Sequence, residues 1–155
     1  MEINDAIHEV IELTRSEAIK NSVSVQTELA ESLPPVQGDR VELQQVILNL
    51  ILNALEAMSG RSEGARELLI SAGTTESGDV LVAVRDSGPG LAQAALDNLF
   101  NAFYTTKPNG LGLGLSICRS IIEGHGGRLW ASANAPCGAV FQFTLPAQPD
   151  VAPRQ

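Results

Sequence analysis

Residues 101–115 read NAFYTTKPNGLGLGL, with Gly110, Gly112 and Gly114 alternating with Leu111, Leu113 and Leu115. Thr105, Thr106 and Lys107 stand just before the glycines, and a helical pattern follows. Glycine lets a backbone approach a ligand closely. A run of N–H groups that opens a helix attracts an anion, because donors and dipole both favour negative charge. Lys107 adds a mobile positive charge. One reading is a loop that closes over the phosphates of a nucleotide. The other is a flexible, Gly-rich surface loop. A Walker loop is excluded, since Gly114 is followed by Leu115 and Ser116 rather than Lys and Ser/Thr. A dinucleotide-binding turn needs a strand before it, and residues 100–109 have no strand pattern.

Two other stretches carry chemistry. In residues 39–58, Gln45, Asn49 and Asn53 recur every four residues and form a polar row on a very apolar helix. An unsatisfied buried amide costs about 1–3 kcal/mol, so such groups persist where something pairs with them. Hydrated Mg²⁺ carrying phosphates is one partner, because it takes oxygen ligands and keeps waters. Neighbouring backbone is the other. The third stretch is Arg85-Asp86-Ser87-Gly88-Pro89-Gly90, at the end of a strand pattern. Asp86 can accept a hydrogen bond from an exocyclic amine. Gly88 and Gly90 leave room for a flat ring. Adenine has that amine, and guanine has a carbonyl there. An Asp-Ser-Gly turn accounts for the same residues without a ligand.

The totals bound the answer. At 155 residues and 44% hydrophobic, the chain fits one domain with a real core. The formal net charge of -8 argues against nucleic acid as a partner. The most apolar stretch, residues 46–58, is broken by Asn49, Asn53 and Glu56, so no membrane span or direct membrane contact is expected. No signal-peptide pattern follows Met1. Cys118 and Cys137 are the two cysteines, and neither has metal-ligand spacing. Both read as reduced thiols of a cytoplasmic protein, Cys118 in a core and Cys137 in a turn.

The elements that must position these residues follow from periodicity. Asn4 is expected to cap a helix that runs to about Lys20, with Ile7, Val10, Ile11 and Ala18 as its apolar stripe. His8-Glu9 lies in it and builds no nucleophile site. Val23, Val25 and Thr27 mark a strand, and residues 31–38 a connector. Asp39 and Glu42 form a capping box for the next helix. Leu43, Val46, Ile47, Leu50, Ile51, Ala54, Leu55 and Met58 are its core face. Leu48 and Leu52 suggest burial on most sides. Residues 60–65 read as a loop. Strands are expected over 68–72 and 80–84, around a turn at Ser77-Gly78-Asp79. A short helix is expected over 91–99. Another is expected over 113–123, with Leu115, Ile117, Cys118, Ile121 and Ile122 buried. His125 reads as a surface or capping residue. Strands over 129–133 and 139–145, joined by a turn at 134–138, close the fold. Residues 1–146 read as one domain and 147–155 as a flexible tail.

The order of an N-x-x-x-N helix, D-S-G-P-G after a strand, and F-Y-T-T-K-P-N-G-L-G-L-G-L resembles the catalytic, ATP-binding domain of bacterial sensor histidine kinases. These belong to the superfamily that also holds gyrase, chaperone and mismatch-repair ATPases. Asn49 and Asn53 match the N box. Asp86, Gly88 and Gly90 match the first glycine box, Phe100 and Phe103 the F box, and Gly110, Gly112 and Gly114 the second glycine box. The likeness covers residue 4 to about residue 146.

The resemblance implies an α+β fold of the Bergerat type. This is a two-layer α/β sandwich, with a mixed sheet of about five strands, about three main helices on one face, and an ATP lid. It implies that the ATP site includes Asn49, Asn53, Ala57, Asp86, Gly88, Gly90, Leu91, Phe103, Thr105, Thr106, Lys107, Gly110, Leu111, Gly112, Leu113, Gly114 and Leu115. Asp86 receives the adenine amine, and Asn53 with Asn49 holds Mg²⁺. Lys107 and the lid amides grip the triphosphate. Asn49, Asn53 and Lys107 are the implied catalytic residues. Hydrolytic relatives carry Glu where Asn49 stands, and a neutral amide does not activate water. Slow hydrolysis and transfer to a histidine are therefore expected. That histidine is implied on a separate dimerisation hairpin, and a response regulator receiver domain is the downstream partner. Two other readings stay open: a protein-serine kinase or anti-sigma switch of the same superfamily, and a non-catalytic interaction module.

Overall fold

The computed structural model describes residues 1–59, 66–87, 113–133 and 138–147. The loop over 60–65, the helix expected over 91–99, the turn at 134–137 with Cys137, and the tail after 147 lie outside the described residues.

Helix α1 spans Ile3–Lys20 and strand β1 Ser24–Leu29. Helix α2 spans Arg40–Ser59. Strands β2 (Glu67–Thr74) and β3 (Val80–Asp86) follow. Helix α3 spans Leu113–Gly124, then β4 spans Arg128–Ala133 and β5 Ala139–Leu145. The strands form one five-stranded sheet in the order β1-β2-β3-β5-β4. β1 runs parallel to β2, and the other neighbours are antiparallel. The parallel pair requires a crossover, and α2 lies within it.

The two-residue period of the strands decides which face is core. Leu68, Ile70 and Ala72 of β2, Val80, Val82 and Val84 of β3, and Phe141, Phe143 and Leu145 of β5 are buried. They form one cluster with Ile7 and Val10 of α1, Leu43, Ile47, Leu50 and Ile51 of α2, and Cys118 and Ile122 of α3. The helices thus cover one face, and the expected two-layer α+β sandwich is what forms. On the opposite face Arg85 is exposed, and the Arg128 guanidinium lies 5.5 Å from the Trp130 ring centroid.

Each helix carries an instructive local detail. Asn4 does not cap α1. The helix begins at Ile3, Glu2 occupies the cap position without a side-chain bond, and Asn4 Nδ2 donates to the Ala30 carbonyl at 2.7 Å. The side chain ties α1 to the end of β1 instead. Half of the capping box is present at α2, where the Glu42 N–H donates to Asp39 Oδ1 at 3.1 Å. That helix is less enclosed than expected. Val41 is 74% and Leu52 38% exposed, because α1 and α3 flank α2 and leave an outer stripe to solvent. Ile117, expected in the core, is 48% exposed on the outer side of α3.

Two long-range connections set the helices against each other. Glu9 on α1 accepts from Arg40 at 2.7 Å and Gln44 at 2.8 Å on α2. The bond from Gln44, then that from Arg40, holds the Glu9 carboxyl below its ordinary pKa. At the other flank, His125 joins α2 to α3. Its Nε2 accepts from the Asp39 N–H at 3.0 Å, so Nδ1 carries the proton and donates to the Ile121 carbonyl at 2.8 Å. Gly38 leaves room for the ring: a Cβ there would sit 2.6 Å from His125 Cδ2.

Candidate functional site

Helix α2 presents Asn49, Asn53 and Ala57 along the flank beside α3, all half-buried between the core face and the outer stripe. The flank is tied to α3 where Asn49 Nδ2 donates to Cys118 Sγ at 3.4 Å. Its outer neighbour Gln45 donates through Nε2 to Asn49 Oδ1 at 3.1 Å. Burial raises the pKa of the Cys118 thiol, and the bond from Asn49 lowers it by less, so the thiol is neutral where it meets the amide.

Asp86 ends β3 and is only 3% exposed. Its Oδ1 accepts from the Ala139 N–H at 3.2 Å. A buried carboxylate persists only where donors meet it. Gly138, with φ +101°, packs against the Asp86 backbone, and a Cβ there would collide with the Asp86 carbonyl. The start of β5 is thereby pressed onto the end of β3. Ser87 follows, and its hydroxyl accepts from the Glu67 N–H at 2.9 Å and donates to Met58 Sδ at 3.6 Å.

These contacts bring three elements together. Met58 meets the end of β3 about one turn beyond Asn53 on α2. Cys118 meets Asn49 one turn into α3 from Gly114. Asn53 therefore stands between the two junctions. Leu113, Gly114 and Leu115 open α3; Leu115 packs on the core, and nothing lies within 4 Å of a Cβ built on Gly114. The first N–H groups of a helix have no intrahelical acceptor. No acidic residue sits in that first turn, so an anion is favoured there. Gly88, Gly90, Leu91, Phe100, Phe103, Thr105, Thr106, Lys107, Gly110, Leu111 and Gly112 lie outside the described residues. Cys118 and Gln45 contact Asn49, and Ala139 contacts Asp86, while Met58 meets Ser87 next to Asp86; none of the four is among the expected site residues. Only Gln45 had a signal, its place in the four-residue row.

Residues 38–149 match the family of histidine kinase-, DNA gyrase B- and HSP90-like ATPases. The chain belongs to this ATPase family. It is 44% identical over 146 residues to the sensor protein FixL of Bradyrhizobium diazoefficiens, covering 94% of this chain and 28% of that protein. Among solved structures, the catalytic domain of histidine kinase ThkA aligns with TM-score 0.83 and 35% identity, over 95% of this chain and 93% of that one. Full-length ShkA in complex with AMPPNP aligns with TM-score 0.84 and 29% identity, over 99% of this chain and 32% of that one. The chain thus spans less than a third of the length of FixL and of ShkA. What it shares with them is the ATP-binding domain of the HATPase family.

Among the described residues no group of three His, Cys, Asp or Glu side chains gathers to hold a metal, and no helix is long and apolar enough to cross a membrane. The carboxamides of α2 nonetheless suit Mg²⁺. Their oxygens are hard donors, and Asn49 Oδ1 keeps a second lone pair beside its bond from Gln45.

Proposed function

We propose that this chain is the catalytic module of a two-component sensor histidine kinase. It binds Mg-ATP at the corner of α2, β3 and α3, and transfers the γ-phosphoryl group to a histidine on a separate dimerisation hairpin. One observation carries the reading most: a carboxylate buried at the end of β3, where Ser87 meets Met58 of the helix that bears the half-buried carboxamide row, in a chain of the HATPase family. Asp86 accepts the adenine amine, which guanine lacks. Asn53, helped by Asn49, takes the metal side of the triphosphate. When bound, Mg²⁺ offsets the charge of the phosphate oxygens. Ala57, half-buried one turn beyond Asn53, belongs to the base side, where a side chain with no bulk beyond Cβ leaves room for a ring. Gly88, Gly90, Leu91 and Phe103 complete the base side. Lys107, Thr105, Thr106 and residues 110–115 grip the phosphates.

Catalysis is then mainly positioning and charge neutralisation. The imidazole nitrogen forms a P–N bond as the bond from the γ-phosphorus to the ADP oxygen breaks. Asn49 cannot take a proton from water, so hydrolysis stays slow. Residues 1–146 are the catalytic ATP-binding module and 147–155 its tail or a linker. Its partners are the hairpin and, through it, a receiver domain, all in the cytoplasm.

The test supplies this chain with an isolated histidine hairpin and γ-labelled ATP. Label on the hairpin that is lost in acid and kept in base is the expected result. Acid-stable label would point to a serine kinase of the same superfamily, and no transfer alongside firm ATP binding would point to an interaction module.

A further inference from the structure

The Asn49 carboxamide is held at both ends. Its nitrogen donates to Cys118 Sγ at 3.4 Å and its oxygen accepts from Gln45 at 3.1 Å. An Asn side chain on its own has a broad terminal torsion, so its amide swings over a wide arc. Two partners at opposite ends remove that freedom. Cys118 is suited to its part, being fully buried on α3 and 69 residues away along the chain. A sulfur accepts only weakly, so the bond holds the amide plane without displacing the amide from its oxygen-side work. A neutral thiol also sets no negative charge against phosphates.

We infer that Cys118 and Gln45 are positioning residues that fix the plane of the Asn49 carboxamide, so that its oxygen meets the metal–phosphate end of the nucleotide already oriented. The inference rests on the nucleotide reading of the α2 flank. It extends the site to two residues that touch neither nucleotide nor metal. It also gives a reason for a cysteine at this core position: a hydrocarbon of similar size would fill the space but leave the amide unheld.

Three variants of the whole chain test it: Cys118→Ala, Cys118→Ser and Gln45→Ala. Two readouts are taken, the side-chain amide NMR signals of Asn49 without nucleotide, and ATP affinity with Mg²⁺ and with EDTA. Serine restores an acceptor where alanine does not. The Asn49 amide signals should shift in both alanine variants and stay near the wild-type position in Cys118→Ser. The Mg²⁺-dependent gain in ATP affinity should fall about fivefold in the alanine variants, the size of one neutral hydrogen bond. It should recover in the serine variant, with affinity in EDTA unchanged throughout. Gln45 is exposed, so its variant keeps the test open should Cys118→Ala fold poorly. Equal losses in Cys118→Ala and Cys118→Ser would show packing rather than a bond and overturn the assignment. So would unchanged amide signals with wild-type Mg²⁺ dependence. A wild-type chain that binds ATP equally with and without Mg²⁺ would overturn the metal role of α2, and this inference with it.

Discussion

Replacing Gly38 by alanine should destabilise the chain, and the same replacement should become harmless once His125 is gone. The reason is geometric. A Cβ at Gly38 would lie 2.6 Å from His125 Cδ2, closer than real carbon contacts allow. The imidazole cannot turn away, because its two nitrogens are committed to the Asp39 N–H at 3.0 Å and the Ile121 carbonyl at 2.8 Å. Each neutral bond contributes about 1 kcal/mol, so Gly38→Ala should cost about 2 kcal/mol by expelling the ring. For a chain of this size that lowers Tm by about 4–8 °C. His125→Ala should cost a similar amount. In the His125→Ala background both His125 contacts are gone, and Leu43 Cδ1, at 3.0 Å, needs to give by only a few tenths of an ångström. Gly38 is not among the glycines with positive φ. Alanine there should then be neutral, or stabilise by about 0.5 kcal/mol through the unfolded chain. The assay is a double-mutant cycle by urea and thermal unfolding, with a coupling energy of about 2 kcal/mol expected. Additive costs would refute the clamp.

Three further outcomes are expected. Asp86→Asn should weaken ATP binding about tenfold, since a charge-assisted acceptor becomes neutral; unchanged affinity by calorimetry would remove Asp86 from the base site. Asn53→Ala should abolish the Mg²⁺ dependence of ATP binding while nucleotide still binds in EDTA, as read by titration under both conditions. The third concerns alkali. The Cys118 thiol is raised from its ordinary 9.0 by burial. The folded chain therefore holds that proton more tightly than the unfolded one, and stability should fall as pH rises past 9 until the folded thiol ionises. Cys118→Ser should flatten this limb of the unfolding profile, which an unaltered slope would contradict.

What could be read without coordinates was local. The Asp39 cap was legible because its acceptor and donor are three residues apart. The core face of α2 and the alternation in β2, β3 and β5 were legible because one period repeats within each element. Asn4 misled because its amide finds the Ala30 carbonyl, 26 residues away, before it can cap. Leu52 and Ile117 misled because an apolar side chain does not announce whether a neighbouring helix covers it. Bonds between Asn49 and Cys118, or Asp39 and His125, join residues 69 and 86 apart. No periodicity encodes them; they exist only once α3 is laid antiparallel along α2. At the site, residue types alone left Asp86, Asn49 and Asn53 each with a ligand-free reading, since a turn or neighbouring backbone can pair the same groups; the order of the three motifs is what singled them out. The residues that hold those groups in place carried almost no such signal.

The most direct test follows backbone and side-chain amide NMR signals while a non-hydrolysable ATP analogue and Mg²⁺ are titrated into the chain. Saturable shifts should gather at Asn49, Asn53, Asp86, Gly114 and Cys118, and leave Leu69, Trp130 and Gln142 on the open sheet face unmoved. Shifts confined to that open face, or no saturable shifts at all, would contradict a nucleotide site where α2, β3 and α3 meet.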